Sequence, residues 1–456
     1  MADASIREIS DLIRQRRLSP VELTRQCLER INRLNPVLNA FIVVTADSAL
    51  TEAGIAEKEV GEGNWRGPLH GVPIGLKDLI DTAGVATTAA CELFKDRIPT
   101  VDAEVVRRLR QAGAVLIGKQ NLHECAYGGS SIISYYGEVR NPWNRAHIAG
   151  GSSAGSASAV ATGMGFAAIG TDTAGSVREP AAQCGVVGLK PTYGRVSVQG
   201  VMALSPSLDH VGPITRTVED AAIVLQAIAD PGPLENALPD FWAGLRNGIE
   251  GFRVGVPRKF FFEELETEIA AAMEEAIGAL ERLGAVVRDV ELSVPTNRTL
   301  SAAEAYAVHA DNILRHPEKY NPETLSRLRN GEGVSESEIL AARSELREMR
   351  ASVRPIFNDV DVLMTPTVPV PPPVIVELKK DLSQLRPQEL VLLRNTRPAN
   401  VWGIPAISIP CGFTSAGLPI GLQIMGAPRD EARVLQVAYA FEQATDWHRQ
   451  ALELHA

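Results

Sequence analysis

Apolar and polar positions alternate along the chain in blocks that change period. Ile6, Ile9, Leu12 and Ile13 recur at helical spacing and predict an amphipathic helix at the start. Ser19-Pro20-Val21-Glu22 announces a second helix, with a capping-box pattern and proline at the first helical position. The apolar run Phe41–Val44 predicts a strand, 46–59 a helix, Val72–Ile80 a buried strand or strand end, 102–111 a helix and 114–117 another strand. Thr217-Val218-Glu219-Asp220 starts a further helix, followed by a strand at 252–256, a helix at 264–283 and a strand at 286–292. The stretch 302–354 is helical in character, Pro366–Pro373 is a proline-rich connector, and 388–394 reads as a helix. Strands at 406–409 and 420–424 and a helix at 430–444 close the chain. Strands alternating with helices imply an α/β fold.

The pattern is most unusual between Gly150 and Arg178. Two glycines and a run of serines lead into small residues, then into the apolar Phe166-Ala167-Ala168-Ile169, and then into a second glycine-serine turn, Asp172-Thr173-Ala174-Gly175-Ser176. Two serine-bearing turns therefore bracket a helix and a strand, which makes Ser152 and Ser176 candidates to meet in space. The bland alternative for GGSS is a flexible linker. The alanine-rich, apolar continuation weakens it, because such a segment belongs in a core.

Composition narrows the function classes. Hydrophobic residues at 45% and charged residues at 22% are those of a globular protein with a substantial core. By length 456 residues suit about three domains, yet α/β enzymes of this size often form one unit. A net charge of -10 argues against a nucleic-acid partner. The five cysteines are scattered without a Cys-x-x-Cys pair, which suggests neither a disulfide framework nor a zinc site and fits a reducing cytoplasm. No run approaches the roughly 18 apolar residues of a membrane span, and the charged amino terminus lacks a signal-peptide core. No metal site is expected, since the eight histidines include no i, i+4 pair.

Chemistry concentrates in three places. Ser176 is the candidate nucleophile, because it follows three residues, Thr173, Ala174 and Gly175, whose consecutive N–H groups are able to form a nest for a developing oxyanion. A serine needs a base, and Lys77 follows the apolar run Val72-Pro73-Ile74-Gly75-Leu76, where desolvation would lower its pKa. The competing role for Lys77 is a partner for a carboxylate such as Asp78. Gly151-Ser152-Ser153-Ala154-Gly155 also satisfies the G-x-S-x-G elbow, but the polar Asn144-Arg145-Ala146-His147 before it is no strand feeding a turn. Gly113–Lys119 imitates a phosphate loop, yet its interior is apolar and Gln120 stands where Ser or Thr is required.

The sequence GGSSAGS, with DTAGSVREPAA at this spacing and Gly75-Leu76-Lys77-Asp78 upstream, resembles the amidase signature family of serine hydrolases. Asn141-Pro142-Trp143, Gly188–Thr192 with Gly194-Arg195, Ile404–Ile407 and Leu418–Gln423 extend the match over most of the chain. Ala154 and Ala174 depart from it, standing where the family usually has glycine. The resemblance implies a mixed central β-sheet covered on both sides by α-helices, in one domain over 1–456. Its signature core lies at about 65–230 and 400–445, and its helical cover at about 296–397.

The resemblance further implies an acyl-enzyme on Ser176, a proton relay from Ser152 to Lys77, and a cis peptide between Gly151 and Ser152. It implies supporting roles for Ser153, Asp172 and Arg178, whose bland alternative is a solvated turn with a surface ion pair. Tyr127, Gly128 and Gly129 occupy the place of an acyl-pocket wall, or form a plain turn. No cofactor is implied. The expected substrate is a small amide or carbamate, as in the urethanases, hydrolysed by a monomer or homodimer without nucleic acid or membrane. The second enzyme reading is the glutaminase component of a tRNA-dependent glutamyl/aspartyl amidotransferase. A third is a catalytically silent binding protein, against which the retention of all three residues Lys77, Ser152 and Ser176 speaks.

Overall fold

The computed structural model describes residues 4–232, 235, 237–450 and 452. Eleven strands form one mixed sheet: β1 Phe41–Val44, β2 Pro73–Lys77, β3 Val115–Gln120, β4 Ala167–Asp172, β5 Val187–Lys190, β6 His210–Thr215, β7 Arg253–Val256, β8 Val286–Asp289, β9 Val362–Pro366, β10 Ala406–Phe413 and β11 Pro419–Gly426. Their spatial order is β1-β3-β2-β4-β6-β5-β10-β11-β9-β7-β8. β2 runs parallel to both β3 and β4, while β6 pairs antiparallel with β4 and β5. β2 and β4 are buried at every position, which is why they read as continuous apolar runs and not as alternation.

Local signals place the helices where the pattern expects them. The first spans Ile6–Arg14, capped by Ser5, and the second Pro20–Leu38. At the second only half of the capping box forms. The Ser19 hydroxyl accepts the Glu22 N–H at 3.2 Å, but the Glu22 carboxylate takes Gln26 instead of turning back. Thr217 caps the helix Val218–Ile228 by accepting the Asp220 N–H. The strand expected at 286–292 stops at Asp289.

The region read as cover, about 296–397, is not all cover. It holds the helices Thr299–Arg315, Pro322–Arg329, Glu336–Ser352 and Leu385–Leu392, but β9 leaves it to pair with β11 and β7 inside the sheet. Val362-Leu363-Met364 is too short an apolar run, and too close to prolines, to announce itself locally.

The helix Ala154–Ala161 is made of small residues for a steric reason. It packs against β2, β4 and β6 and the helix Arg178–Cys184. A Cβ on Gly155 would stand 2.4 Å from the Ala40 carbonyl oxygen and 2.6 Å from the Asn121 nitrogen. This close seat brings the turn that precedes the helix against the ends of β2 and β4. The carboxyl ends of neighbouring parallel strands are where α/β sheets hold their ligands.

Candidate active site

Lys77 closes β2 and is fully buried. Its Nζ donates to Ser152 Oγ at 2.7 Å and to Thr171 Oγ1 at 2.9 Å, and it forms no ion pair with any described residue. Asp78 points elsewhere and pairs with Lys119 at 3.2 Å, as expected of neighbours on a strand. Burial pushes the Lys77 amine down to about 7, with Asp172 and Asp209 pulling the other way.

Ser152 follows a cis Gly151–Ser152 peptide bond. The Gly151 N–H donates to Glu179 Oε2 at 2.6 Å, and the Ser152 carbonyl accepts the His123 N–H at 3.1 Å. Ser153 ties the two serine turns together: its N–H donates to the Ser176 carbonyl at 3.2 Å and its hydroxyl to the Thr171 carbonyl at 3.2 Å. The Ser152 and Ser176 hydroxyls make no direct hydrogen bond with each other.

The second turn is organised by a buried ion pair. Asp172 at the end of β4 takes Arg178 through both oxygens, at 2.9 and 3.0 Å, with neither side chain exposed. This is no surface pair. Burial raises the Asp172 carboxyl, but Arg178, Lys190 and a hydrogen bond from Asn400 outweigh it and hold the group well below the usual carboxylate range. Arg178 also reaches Gln423 at 2.6 Å, Asn400 at 2.6 Å and the Thr396 carbonyl at 2.7 Å.

The same carboxylate shapes the turn before Ser176. Asp172 Oδ1 accepts the Gly175 N–H at 2.8 Å and Oδ2 the Val177 N–H at 3.1 Å. The Gly175 N–H is thus committed, whereas those of Thr173, Ala174 and Ser176 have no acceptor among the described residues. Gly175 carries the left-handed backbone of the turn, with φ +136°, and a Cβ there would stand 2.0 Å from Thr396 Oγ1. Ala174 takes an ordinary negative φ, which explains how alanine is accommodated where the family usually has glycine. Thr396 holds the turn from above, its hydroxyl donating to the Ala174 carbonyl at 2.7 Å.

A cavity of about 480 Å³ opens onto Thr173, Ala174 and Ser176. Tyr127 and Gly128 form part of its wall, while Gly129 lies behind it against Leu393 and the Glu389 backbone. Several residues that build the site carried no sequence signal of their own: Thr171 beneath Lys77, Thr396 on Ala174, and Asp209, which accepts the Thr173 hydroxyl at 2.6 Å; Glu179, which accepts the Gly151 N–H, lay within DTAGSVREPAA without a role of its own. Gln423 lay within a quoted motif, Leu418–Gln423, but nothing local linked it to Arg178. No group of three or more His, Cys, Asp or Glu among the described residues could hold a metal ion.

The Amidase family model matches residues 22–435. The chain is 40% identical to the A subunit of Glutamyl-tRNA(Gln) amidotransferase from Moorella thermoacetica, over 98% of each sequence. Among solved structures it is similar to 6-aminohexanoate cyclic dimer hydrolase, with TM-score 0.89 and 31% identity over 99% of both chains. It is also similar to the corresponding Glutamyl-tRNA(Gln) amidotransferase subunit of Thermotoga maritima, with TM-score 0.78 and 34% identity over 97% of this chain and 95% of that one.

These relatives correct one expectation. Net charge argued against nucleic acid, and a monomer or homodimer was expected, yet full-length relatives are named as subunits of a Glutamyl-tRNA(Gln) amidotransferase. An acidic total does not exclude such an assembly, because a subunit that leaves the tRNA to its partners has no need of a basic face. The membrane expectation meets a narrower finding: no helix among the described residues is long and apolar enough to cross a membrane. The match over most of its length and the full-length identity establish that the chain belongs to the amidase family, the amidase-signature hydrolases that act on carbonyl C–N bonds.

Proposed function

We propose that the chain cleaves a carbonyl C–N bond through an ester formed on Ser176, with Lys77 as the base and Ser152 as the hydroxyl between them. The observation that carries this is Lys77: sealed from water, without an ion pair, 2.7 Å from Ser152 and pushed down to about 7. A neutral amine there takes the Ser152 proton as Ser152 takes that of Ser176, and Ser176 Oγ attacks the carbonyl carbon. The oxyanion faces the N–H groups of Thr173, Ala174 and Ser176. As the C–N bond breaks, the proton returns by the same path to the leaving nitrogen. Water then adds to the ester, gives its proton to the relay, and releases the acid and Ser176. Ser153, Asp172, Arg178 and Gly175 hold the two turns in register, and Tyr127 and Gly128 face the acyl group. One unit carries all of this, since both turns hang from a single sheet.

For the substrate, the relatives' names support the glutaminase component of a tRNA-dependent amidotransferase more strongly than the aryl carbamate reading, which none of them supports. The similarity to 6-aminohexanoate cyclic dimer hydrolase keeps a free-standing amide hydrolase in view. One preparation offered free glutamine, an anilide and an O-alkyl N-aryl carbamate separates them. Ammonia from glutamine alone supports the amidotransferase reading, and aniline from the other two supports the free-standing one. Quenching turnover of an activated ester in acid should leave the acyl group on the peptide containing Ser176; an acyl group elsewhere removes the nucleophile assignment.

A further inference from the structure

The cavity beside Ser176 has a charge pattern that the acyl-transfer scheme does not use. Arg298, Arg386 and Arg397 line it against a single carboxylate, Glu338. Glu338 is already engaged, accepting the Ser335 N–H at 2.8 Å and the Ser335 hydroxyl at 2.6 Å to cap the helix Glu336–Ser352. Arg397 is engaged too. It donates to the carbonyls of Pro295 and Asn297, and so fixes the backbone leading into Arg298. Arg386 lies over the Tyr127 ring, 5.2 Å from its centroid. The carboxylate within its reach, Glu389 at 3.7 Å, already receives Arg327 at 2.8 Å and the Ser130 hydroxyl at 2.6 Å.

Arg298 is different. Half-buried at the start of the helix Thr299–Arg315, its guanidinium has neither an ion pair nor a hydrogen bond with any described residue. The formal charges that act on it are the like charges of Arg386 and Arg397. Glu389 acts on Arg386 and Glu345 on Arg397, but no carboxylate acts on Arg298, and a cation drawn partly out of water beside two like charges is costly unless a ligand supplies the negative charge. The guanidinium fork matches a carboxylate, and the cavity is large enough for a small organic acid.

We propose that the substrate carries a carboxylate at the end remote from the scissile carbonyl, held by Arg298 with Arg386 as the second cation. This rests on the Ser176 reading, since Ser176 sets which end of the cavity holds the carbonyl. An added ammonium gains nothing there, because the only carboxylate on the wall is the capping Glu338 and the rest of the charge is positive. Mono-amides of dicarboxylic acids are therefore preferred over neutral amides and, against the glutaminase reading of the relatives' names, over free glutamine.

The test compares kcat/KM for glutaramate, glutamine and butyramide in the unmodified protein, Arg298→Ala and Arg298→Lys. It adds calorimetric binding of glutarate to Ser176→Ala with and without the Arg298→Ala change. Arg298 makes no side-chain bond, so its removal leaves no buried partner unsatisfied. Glutaramate should exceed butyramide by about tenfold to a hundredfold, and Arg298→Ala should cut that ratio at least about tenfold, mainly through KM, with Arg298→Lys restoring part. Glutarate binding should weaken to a similar extent. An equal loss on all substrates, undiminished glutarate binding, or glutamine outrunning glutaramate overturns the proposal. Arg298-dependent glutarate binding in a protein that cleaves none of the amides keeps the carboxylate site and sinks the Ser176 reading instead.

Discussion

Beneath the cavity, Lys77, Ser152, Ser153, Asp172 and Arg178 are each 0% exposed, and their polar atoms find partners on several elements. Above it the helices are built the other way. In Glu336–Ser352 the one buried residue is Ala342, and two of the arginines that reach the cavity, Arg298 and Arg386, remain partly in water. The floor is a low-dielectric network in which each charge depends on its partner, so it holds geometry at the cost of tolerating little change. The cover contributes charge and shape through side chains with few obligations. A family can therefore keep its chemistry in the first and vary its substrate in the second.

The largest expected break comes from Ser176→Ala. Turnover should fall on the order of 10⁴-fold or more in kcat while the thermal midpoint stays within about 2 °C, because only a hydroxyl facing the cavity is lost. A variant that keeps substantial activity places the nucleophile elsewhere. Lys77→Ala should cost about 10²- to 10⁴-fold. On the proposed mechanism the neutral amine is the base, so kcat/KM should rise with pH and level off above about 7, where burial has brought the Lys77 pKa. A profile flat from acid to alkaline pH would set Lys77 aside.

Two ion pairs sharpen the contrast between floor and cover. Arg178→Ala leaves Asp172 buried and unpaired, and chemical denaturation should show a loss of about 3–5 kcal/mol. Lys380 and Glu377 on the cover are closer, at 2.7 Å, but 65% and 59% exposed. Glu377→Ala should cost under about 1 kcal/mol and leave kcat unaltered. If the two losses were alike, distance and not burial would govern, and the distinction between floor and cover would fail.

Much of the scaffold was legible because it is decided within a few residues. The capping signals at Ser19 and Thr217, the apolar run Phe41–Val44, and the small-residue passage from Gly150 to Arg178 each settle a local element through neighbours three or four positions away or on alternate faces. β9 escaped notice because its pairing with β11 and β7, not its own five residues, makes it a strand. The identities of Lys77, Ser152 and Ser176 stood in the sequence as motifs, and only their chemistry there was conditional. Folding decided that Lys77 faces Ser152 and Thr171 without an ion pair to any described residue, that Asp172 spends itself on Arg178 and the Gly175 N–H, and that Thr396, 222 positions away, pins the Ala174 carbonyl. It also gathered Arg298, Arg386 and Arg397 from separate helices and approaches onto one wall. Residue types and local periodicity are properties of the chain, whereas burial and the company a charge keeps are set by segments that meet only when the sheet closes. A pKa or a pocket's charge depends on the second kind of information.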